Sequence, residues 1–397
     1  MAAGGRSVRS GTPVDSLIVM TGGWVQTIRG HGEAARWYSP TLWQTMKLSA
    51  WLKLLRAQHF RLARNKLPAV VATTAMTAGN SVLGVAQSLI FARRIRGARI
   101  QPNPIFILGH YRTGTTHLHN LLALDQRLSS PTTFECSAPH HCLLTVHLYP
   151  RLFSWLLAPK RVMDDMEMGF DRPQEDELAL VALGVPSPYW SIGFPGDQTG
   201  RRFLTLTDVS DEERRDWEKT FVQFLRLISL RHPGKPLVLK SPPHTARVAV
   251  LRGLFPRARF VHLVREPMSV FASTVRLWQE IRAVNALAPW SEVQLEQEVL
   301  EALPEMYRDF ERDRAAIPPG QFHQMRYEDL VRDPLATLEQ CYEAIGLEDF
   351  ARVRPHVERY LADLRKYRTN EYAVSPEGAA AVRDSWGPFF RGWGYEI

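Results

Sequence analysis

An α/β architecture around a central parallel sheet is what this 397-residue sequence predicts, on three observations. From Gln101 onward, short β-branched and aliphatic runs alternate with longer stretches of helical periodicity, the pattern of right-handed strand-helix-strand crossovers. The first of these runs, Ile105–Leu108, passes directly into the glycine turn Gly109-His-Tyr-Arg-Thr-Gly-Thr-Thr116 and then into a helical segment, His117 to Leu124. Each strand-like run ends on polar or charged residues, at the carboxyl edge where open parallel sheets collect ligands.

Residues 1–100 read as an α-helical N-terminal region, with Leu42, Leu48, Trp51, Leu52, Leu55 and Phe60 at helical spacing. The polar stretch from Gly4 to Val14 does not have the form of a signal peptide. Leu67 to Ala92 carries no formal charge, lies between Arg61, Arg64 and Lys66 and Arg93, Arg94 and Arg96, and is long enough to span a bilayer. Pro68, Asn80, Gln87 and several threonines dilute it, and its two ends are equally basic. The favoured expectation is therefore helices packed on the protein, as a lid over the ligand site, or a peripheral membrane contact through residues 67–92, with a true span as the alternative. Residues 101–397 are expected to form one P-loop-like three-layer α/β/α domain. Its strands are Ile105–Leu108, Pro236–Leu239, Arg259–Val264 and Gln321–Arg326, with a further strand ending at Glu135 in Pro131-Thr-Thr-Phe-Glu135. Beyond Tyr367 the tail carries Trp386, Phe389, Phe390, Arg391 and Trp393, as a lid or a packed strap.

The net charge of +8, with arginine well in excess of lysine, suits a polyanionic ligand or a membrane surface. No block of lysine and arginine of the kind found in nucleic-acid-binding arms is present. Three cysteines, Cys136, Cys142 and Cys341, make no disulfide framework and point to a reducing, cytoplasmic compartment.

A strand, a glycine turn and a helix start place several backbone N–H groups on one oxyanion. The nucleotide-hydrolysing version of this loop has a lysine for the β/γ-phosphates and a hydroxyl for Mg²⁺. Here Thr115 stands at the lysine position and Arg112 lies inside the loop, so a guanidinium fork meets the anion and ATP hydrolysis is disfavoured. Lys240-Ser241 follows the second run. Arg265-Glu266 follows the third, after which Pro267 opens a helix presenting Ser269, Ser273 and Thr274 on its first two turns. Two anion-binding turns on one sheet imply a ligand with phosphates at both ends.

With these residues, the chain resembles the sulfotransferase superfamily, most closely its bacterial and tyrosyl-protein-like branch. The resemblance runs from about Ile105 to Leu347. It is carried by Gly109 to Thr116, by Phe260-Val-His-Leu-Val-Arg-Glu-Pro267 running to Ser273, and by Leu239-Lys-Ser-Pro-Pro-His244. Arg172-Pro-Gln-Glu-Asp-Glu177 and Arg326-Tyr-Glu-Asp-Leu330 extend it. The resemblance implies in-line transfer of a sulfuryl group from 3′-phosphoadenosine 5′-phosphosulfate to a hydroxyl or amine, with no metal required. It implies Gly109, Arg112, Thr113, Gly114, Thr115 and Thr116 at the 5′-phosphosulfate and Arg265 and Ser273 at the 3′-phosphate. Arg112 and Lys240 would carry the charge that develops in the transition state.

A general base must take the acceptor's proton. Glu135, about where tyrosyl-protein enzymes carry their glutamate, is the first candidate and His244 the second. Glu175, Asp176 and Glu177 are expected to line an acceptor pocket, to pair with Arg172, or to be a solvated helix start. Trp190, Tyr189, Phe134 and Phe170 suggest an apolar or ring-bearing acceptor, leaving sugars, lipids and tyrosyl peptides open. The chain departs from the family pattern at His110 and Tyr111, and it lacks a C-terminal basic-glycine motif, for which Lys366, Arg368 or Arg391 would substitute. The alternatives are a P-loop phosphotransferase or nucleotide kinase and a catalytically silent nucleotide-binding membrane protein. Cys136, His140, His141 and Cys142 have ligand-like chemistry, but their spacing is not that of a zinc site.

Overall fold

The computed structural model describes residues 23–29, 41–153, 160–161, 164–167, 169–364 and 371–396. Among the described residues a central sheet of four parallel strands, β1 (Ile105–Leu108), β2 (Val238–Lys240), β3 (Arg259–Val264) and β4 (Phe322–Arg326), runs in the order β2-β1-β3-β4. Its register opposes Ile107 to Lys240, Leu108 to His262 and Val264 to Arg326, so the strands end together at one edge. β1 is apolar at every position because both faces of a parallel sheet are covered. The period of two sends Phe106, Leu108, Phe260 and Val264 into one core and Ile105, Ile107, Val261 and Leu263 into the other.

The helices that position the site are α1 (Leu48–Ala57), α2 (Leu67–Gly97), α3 (Thr115–Leu122), α4 (Thr133–Ser137), α5 (Asp176–Leu183), α6 (Asp211–Arg231), α7 (Pro267–Asn285), α8 (Glu292–Arg314) and α9 (Pro376–Gly392). The predicted strand at Glu135 is instead α4. Thr132 Oγ1 accepts from the Glu135 amide at 3.3 Å, and Glu135 Oε2 accepts from the Thr132 amide at 2.7 Å. This reciprocal capping box starts a helix where the β-branched pair Thr132-Thr133 suggested a strand. Only a single bridge, Ser129 to Leu237, extends the sheet there.

The N-terminal region is helical in α1 and α2 but not throughout: Val25–Arg29 pairs antiparallel with Glu371–Val374. α1 turns Trp51, Leu54 and Leu55 inward, where they share one core with Trp43, Val181, Trp190 and Ile192. The aromatic tail is a packed strap rather than a loose lid. In α9, Trp386 is fully buried and its indole N–H donates to the Leu300 carbonyl at 2.8 Å. Cys136, Cys142 and Cys341 are free and buried.

Candidate active site

The loop after β1 is built from residues that tolerate backbone an ordinary side chain resists. Gly109 has φ 148° and Gly114 has φ 94°. A Cβ on Gly109 would meet Thr113 Oγ1 at 2.6 Å and the Leu263 carbonyl at 2.7 Å, and one on Gly114 would collide with the Tyr327 ring. Arg112 also lies in the left-handed region, at φ 67°, a conformation that costs a non-glycine residue about 1–3 kcal/mol and clusters at functional sites. Contacts on every side hold it there. Arg112 Nε donates to Ser273 Oγ at 2.8 Å, and Arg265 Nη1 donates to the Arg112 carbonyl at 3.0 Å. Thr113 Oγ1 closes the loop on the His110 carbonyl at 2.8 Å, while Thr245 Oγ1 accepts from the Gly109 amide at 2.8 Å. Gly114 caps α3, so the amides of Thr115 and Thr116 open into the loop at a helix N-terminus.

Arg265 lies over the Tyr327 ring at 4.4 Å, which fixes its guanidinium at the end of β3. The N-terminus of α7 is not an open anion site. Glu266 caps it, its carboxylate accepting from the Met268 and Ser269 amides at 2.9 and 2.8 Å. Thr274 Oγ1 is turned back on the Val270 carbonyl at 2.6 Å. Of the three hydroxyl residues expected there, Ser273 is the one that bonds the Arg112 side chain.

The acidic run Glu175-Asp176-Glu177 has a distinct partner for each member. At a helix start, successive side chains fan out by about 100°. The bases that meet them lie at four- and three-residue spacing on the end of β2 and the following 3₁₀ turn, Pro242–Arg247. Glu175 pairs with Lys240, whose Nζ also donates to Thr116 Oγ1 at 3.3 Å, and its second oxygen accepts from the Tyr189 hydroxyl. Asp176 Oδ2 meets His244 Nε2 at 2.6 Å. Glu177 meets Arg247 Nη1 at 2.6 Å and accepts from Ser187 Oγ at 2.6 Å. Lys240 is 3% exposed and Glu175 18%, so this pair alone among the three opens toward solvent: Asp176, His244, Glu177 and Arg247 are fully buried. Burial pushes the Asp176 carboxyl up, but the charge and hydrogen bond of His244 outweigh it and hold the group below the usual carboxylate range. Burial and the Glu175 charge push both Tyr111 and Tyr189 well above the ordinary phenol value, which keeps them neutral donors.

Gly109, Arg112, Thr113, Gly114, Thr115, Thr116, Lys240, Arg265 and Ser273 thus come together at the carboxyl edge of the sheet. The two candidate bases are engaged elsewhere. Glu135 is fully buried, and its other oxygen accepts from Arg231 at 2.9 Å. Burial raises its pKa, and His232, Arg231 and the Thr132 amide more than reverse this, leaving it lowered. His244 packs between the rings of Phe106 and Phe221. Trp190 is core, and Phe134 packs edge-on against Phe170 and tilted against Tyr149. Of the aromatic candidates, Tyr189 reaches the site. Arg391 is exposed on α9, and Lys366 and Arg368 lie outside the described residues. Among the described residues, no three histidine, cysteine or acidic side chains are grouped to hold a metal.

Sequence reasoning missed the Glu175–Lys240 pair, the role of Tyr189 as its partner and Thr245 as the clamp on Gly109. The first had a signal, an acidic triplet matched by Lys240, His244 and Arg247. Beside the pair, Tyr111, Tyr189 and Trp278 pack ring to ring at 5.2–6.3 Å. Tyr111 and Trp278 also line a cavity of about 650 Å³, whose other walls carry Leu204, Val299 and Met306 together with the charged Arg201, Arg282, Glu301 and Glu305.

Residues 104–352 match the family described as the Sulfotransferase family. The chain is 36% identical over 375 residues to the omega-hydroxy-beta-dihydromenaquinone-9 sulfotransferase Stf3 of Mycobacterium bovis, covering 94% of this chain and 96% of that one. The Stf3 protein of Mycobacterium tuberculosis matches equally. In fold it is similar to the sulfotransferase STF1 of Mycobacterium tuberculosis H37Rv, with a TM-score of 0.60 at 20% identity, covering 88% of this chain and 94% of that one. The sulfotransferase STF9 of Mycobacterium avium gives a TM-score of 0.65 at 19% identity, covering 81% and 84%. A glycine turn without the nucleotide-hydrolysis lysine, the cations Arg112, Lys240 and Arg265 at the ends of three neighbouring strands and these likenesses agree: the chain belongs to the sulfotransferase family, enzymes that move a sulfuryl group from an activated donor to an acceptor.

Proposed function

We propose that this sulfotransferase takes the sulfuryl group of 3′-phosphoadenosine 5′-phosphosulfate and delivers it to the hydroxyl of a lipid-soluble alcohol. The observation that carries the reading is the Glu175–Lys240 pair, 3.3 Å from Thr116 through the ammonium and partly open to solvent. The amides of Gly114 to Thr116 and the Thr115 and Thr116 hydroxyls receive the 5′-phosphosulfate. Arg265 and Ser273 receive the 3′-phosphate, which discriminates against ATP. As sulfur leaves the bridging oxygen, negative charge grows there. Lys240 and Arg112 are fixed cations for that charge and need no reorganisation at the moment of transfer.

The base role passes from Glu135 and His244 to Glu175. A sulfonate arriving at Lys240 competes for the ammonium and frees one Glu175 oxygen to accept the acceptor's proton, while the Tyr189 hydroxyl keeps the carboxylate oriented. Such a positioned base contributes about 10²–10⁴ in rate. Glu135 is then a structural cap and ion-pair partner, and His244 holds Asp176 so that α5 presents Glu175 correctly. Residues 101–397 form the catalytic domain, and the N-terminal segment covers it.

The acceptor class follows from the 36% identical relatives, whose named acceptor is an ω-hydroxylated menaquinone, and from the apolar wall of Tyr111 and Trp278. Buried free thiols fit a cytoplasmic location. Incubating the protein with ³⁵S-labelled donor and an ω-hydroxylated polyprenyl quinone in detergent should give a labelled lipid. Label appearing only in water-soluble alcohols of the same panel would refute the acceptor class.

A further inference from the structure

The surface helix α2 has its polarity reversed. A helix on a soluble domain turns its apolar stripe to the core and its polar face to water. In α2 the residues facing the protein are Thr73, Thr74, Thr77, Asn80, Ser81, Gly84 and Gln87, and most of the hydroxyl and amide groups among them are used as docking bonds. Thr74 Oγ1 accepts from the Trp51 indole at 2.9 Å, and Ser81 Oγ accepts from the Leu48 amide at 2.8 Å. Asn80 Nδ2 donates to the Gln44 and Met46 carbonyls at 2.9 and 3.0 Å. Gln87 donates to the Pro139 carbonyl at 3.1 Å and accepts from the Leu143 amide at 2.8 Å. The outward face is apolar: Val71 is 70% exposed, Val82 71%, Val85 60%, Leu89 82% and Ile90 60%, with Leu67, Met76 and Leu83 beside them.

The charge around this face is equally one-sided. Between Glu33 and Asp125 the sequence holds twelve lysines and arginines and not one acidic residue, which leaves 37 basic against 41 acidic residues in the rest of the chain. The excess positive charge of the protein therefore belongs to the segment that carries α2. Arg61 and Arg64 at one end and Arg93, Arg94, Arg96 and Arg99 at the other are exposed.

We infer that α2 lies flat in the headgroup region of an anionic lipid bilayer, its outer face in the acyl boundary and its two arginine clusters on lipid phosphates. The inference rests on the lipid-acceptor reading above and adds the surface from which the acceptor is drawn. A helix of 31 residues, about 46 Å long, is long enough to span, but the geometry selects the interface. Its polar face is bonded to the protein from Thr74 to Gln87, so a spanning orientation would carry the catalytic domain into the hydrocarbon. Equal basic ends also give a spanning helix no sidedness. For a helix lying in the interface, apolar burial and attraction to anionic lipid add together. The start of α2 is continuous with the site, because Leu62 and Val70 pack on the same core as Tyr111 and Trp278.

Flotation of the full chain with phosphatidylcholine vesicles, and with vesicles that also contain phosphatidylglycerol, tests this directly. The protein should float with the anionic vesicles and be released by high salt. Val82→Asp/Leu89→Asp should abolish flotation while its affinity for adenosine 3′,5′-bisphosphate, which reports the fold, stays unchanged. Arg93→Gln/Arg94→Gln/Arg96→Gln should weaken binding to the anionic vesicles by about fivefold per charge removed. Flotation that survives the double aspartate variant, resistance to alkaline carbonate extraction, or a dimer without lipid that the aspartates dissociate would each overturn the assignment. Vesicle binding with no sulfation of any lipid alcohol would leave the docking surface standing and remove the acceptor reading instead.

Discussion

Glu175 and Lys240 face each other at the end of β2, and each has a second tie, to Tyr189 and to Thr116. A carboxylate that only neutralised a buried lysine would leave donor binding and transfer equally sensitive to its loss. A carboxylate that takes the acceptor's proton would not. Glu175→Gln is therefore expected to retain affinity for adenosine 3′,5′-bisphosphate and to lower kcat by about 10²-fold or more, seen as a slow single-turnover rate with bound donor. Retained kcat would return the base role to His244. Gly114 supplies a second test. Alanine there must adopt φ 94° and push aside the Tyr327 ring that also supports Arg265. Gly114→Ala should lose about 1–3 kcal/mol of stability together with bisphosphate binding, measured by urea unfolding and calorimetry; undiminished binding would deny the loop its role.

At the scale of elements, the sequence was read correctly where one local pattern had no competitor. The β-branched runs at Ile105–Leu108 and Arg259–Val264 are strands with those bounds, and the glycine turn is followed by a helix, which starts two residues earlier than expected, at Thr115, because Gly114 caps it. Reading failed where two local rules overlapped. Thr132-Thr-Phe-Glu135 has both β-branched residues and the spacing of a capping box, and the box prevailed because its two reciprocal bonds satisfy orphan amides at the helix start. It also failed where partners are distant in sequence. Nothing local states that Glu175, Asp176 and Glu177 pair with residues about 70 positions later, or that Val25–Arg29 forms a strand whose partner is Glu371–Val374. Thr132→Val removes half of the capping box and should destabilise by about 1 kcal/mol with kcat unchanged. Glu135→Gln should likewise lower the urea midpoint without lowering turnover; a loss of turnover at unchanged stability would restore Glu135 as the base.

Across the whole molecule, burial keeps an unusual set of histidines neutral. Desolvation lowers His110, His117 and His141 to about 4 and His119, His140 and His262 to about 3. In the unfolded chain each takes up its proton near its ordinary value of 6.5, so unfolding absorbs protons below that pH. The stability these groups confer is fully present above pH 6.5 and falls as pH drops toward 4, each contributing up to ~1.4 kcal/mol per pH unit. Asp176 and Glu135, with lowered values, extend the loss into the carboxylate range. Urea midpoints should therefore decline already between pH 6.5 and pH 5; a flat profile there would contradict the burial of these rings.

The fold brings the loop after β1 and the Arg265 end of β3 to one edge, and in the function proposed above these two ends hold a single donor by both of its phosphates. Thermal stability in adenosine 3′,5′-bisphosphate compared with adenosine 5′-monophosphate, for the parent chain and for Arg265→Ala, tests that arrangement most directly. A ligand at about 100 times its dissociation constant adds roughly 2.7 kcal/mol. The account predicts stabilisation of the parent by the bisphosphate well above that by the monophosphate, and loss of the difference in Arg265→Ala. Equal stabilisation by the two nucleotides, or a preference that Arg265→Ala leaves intact, would contradict it.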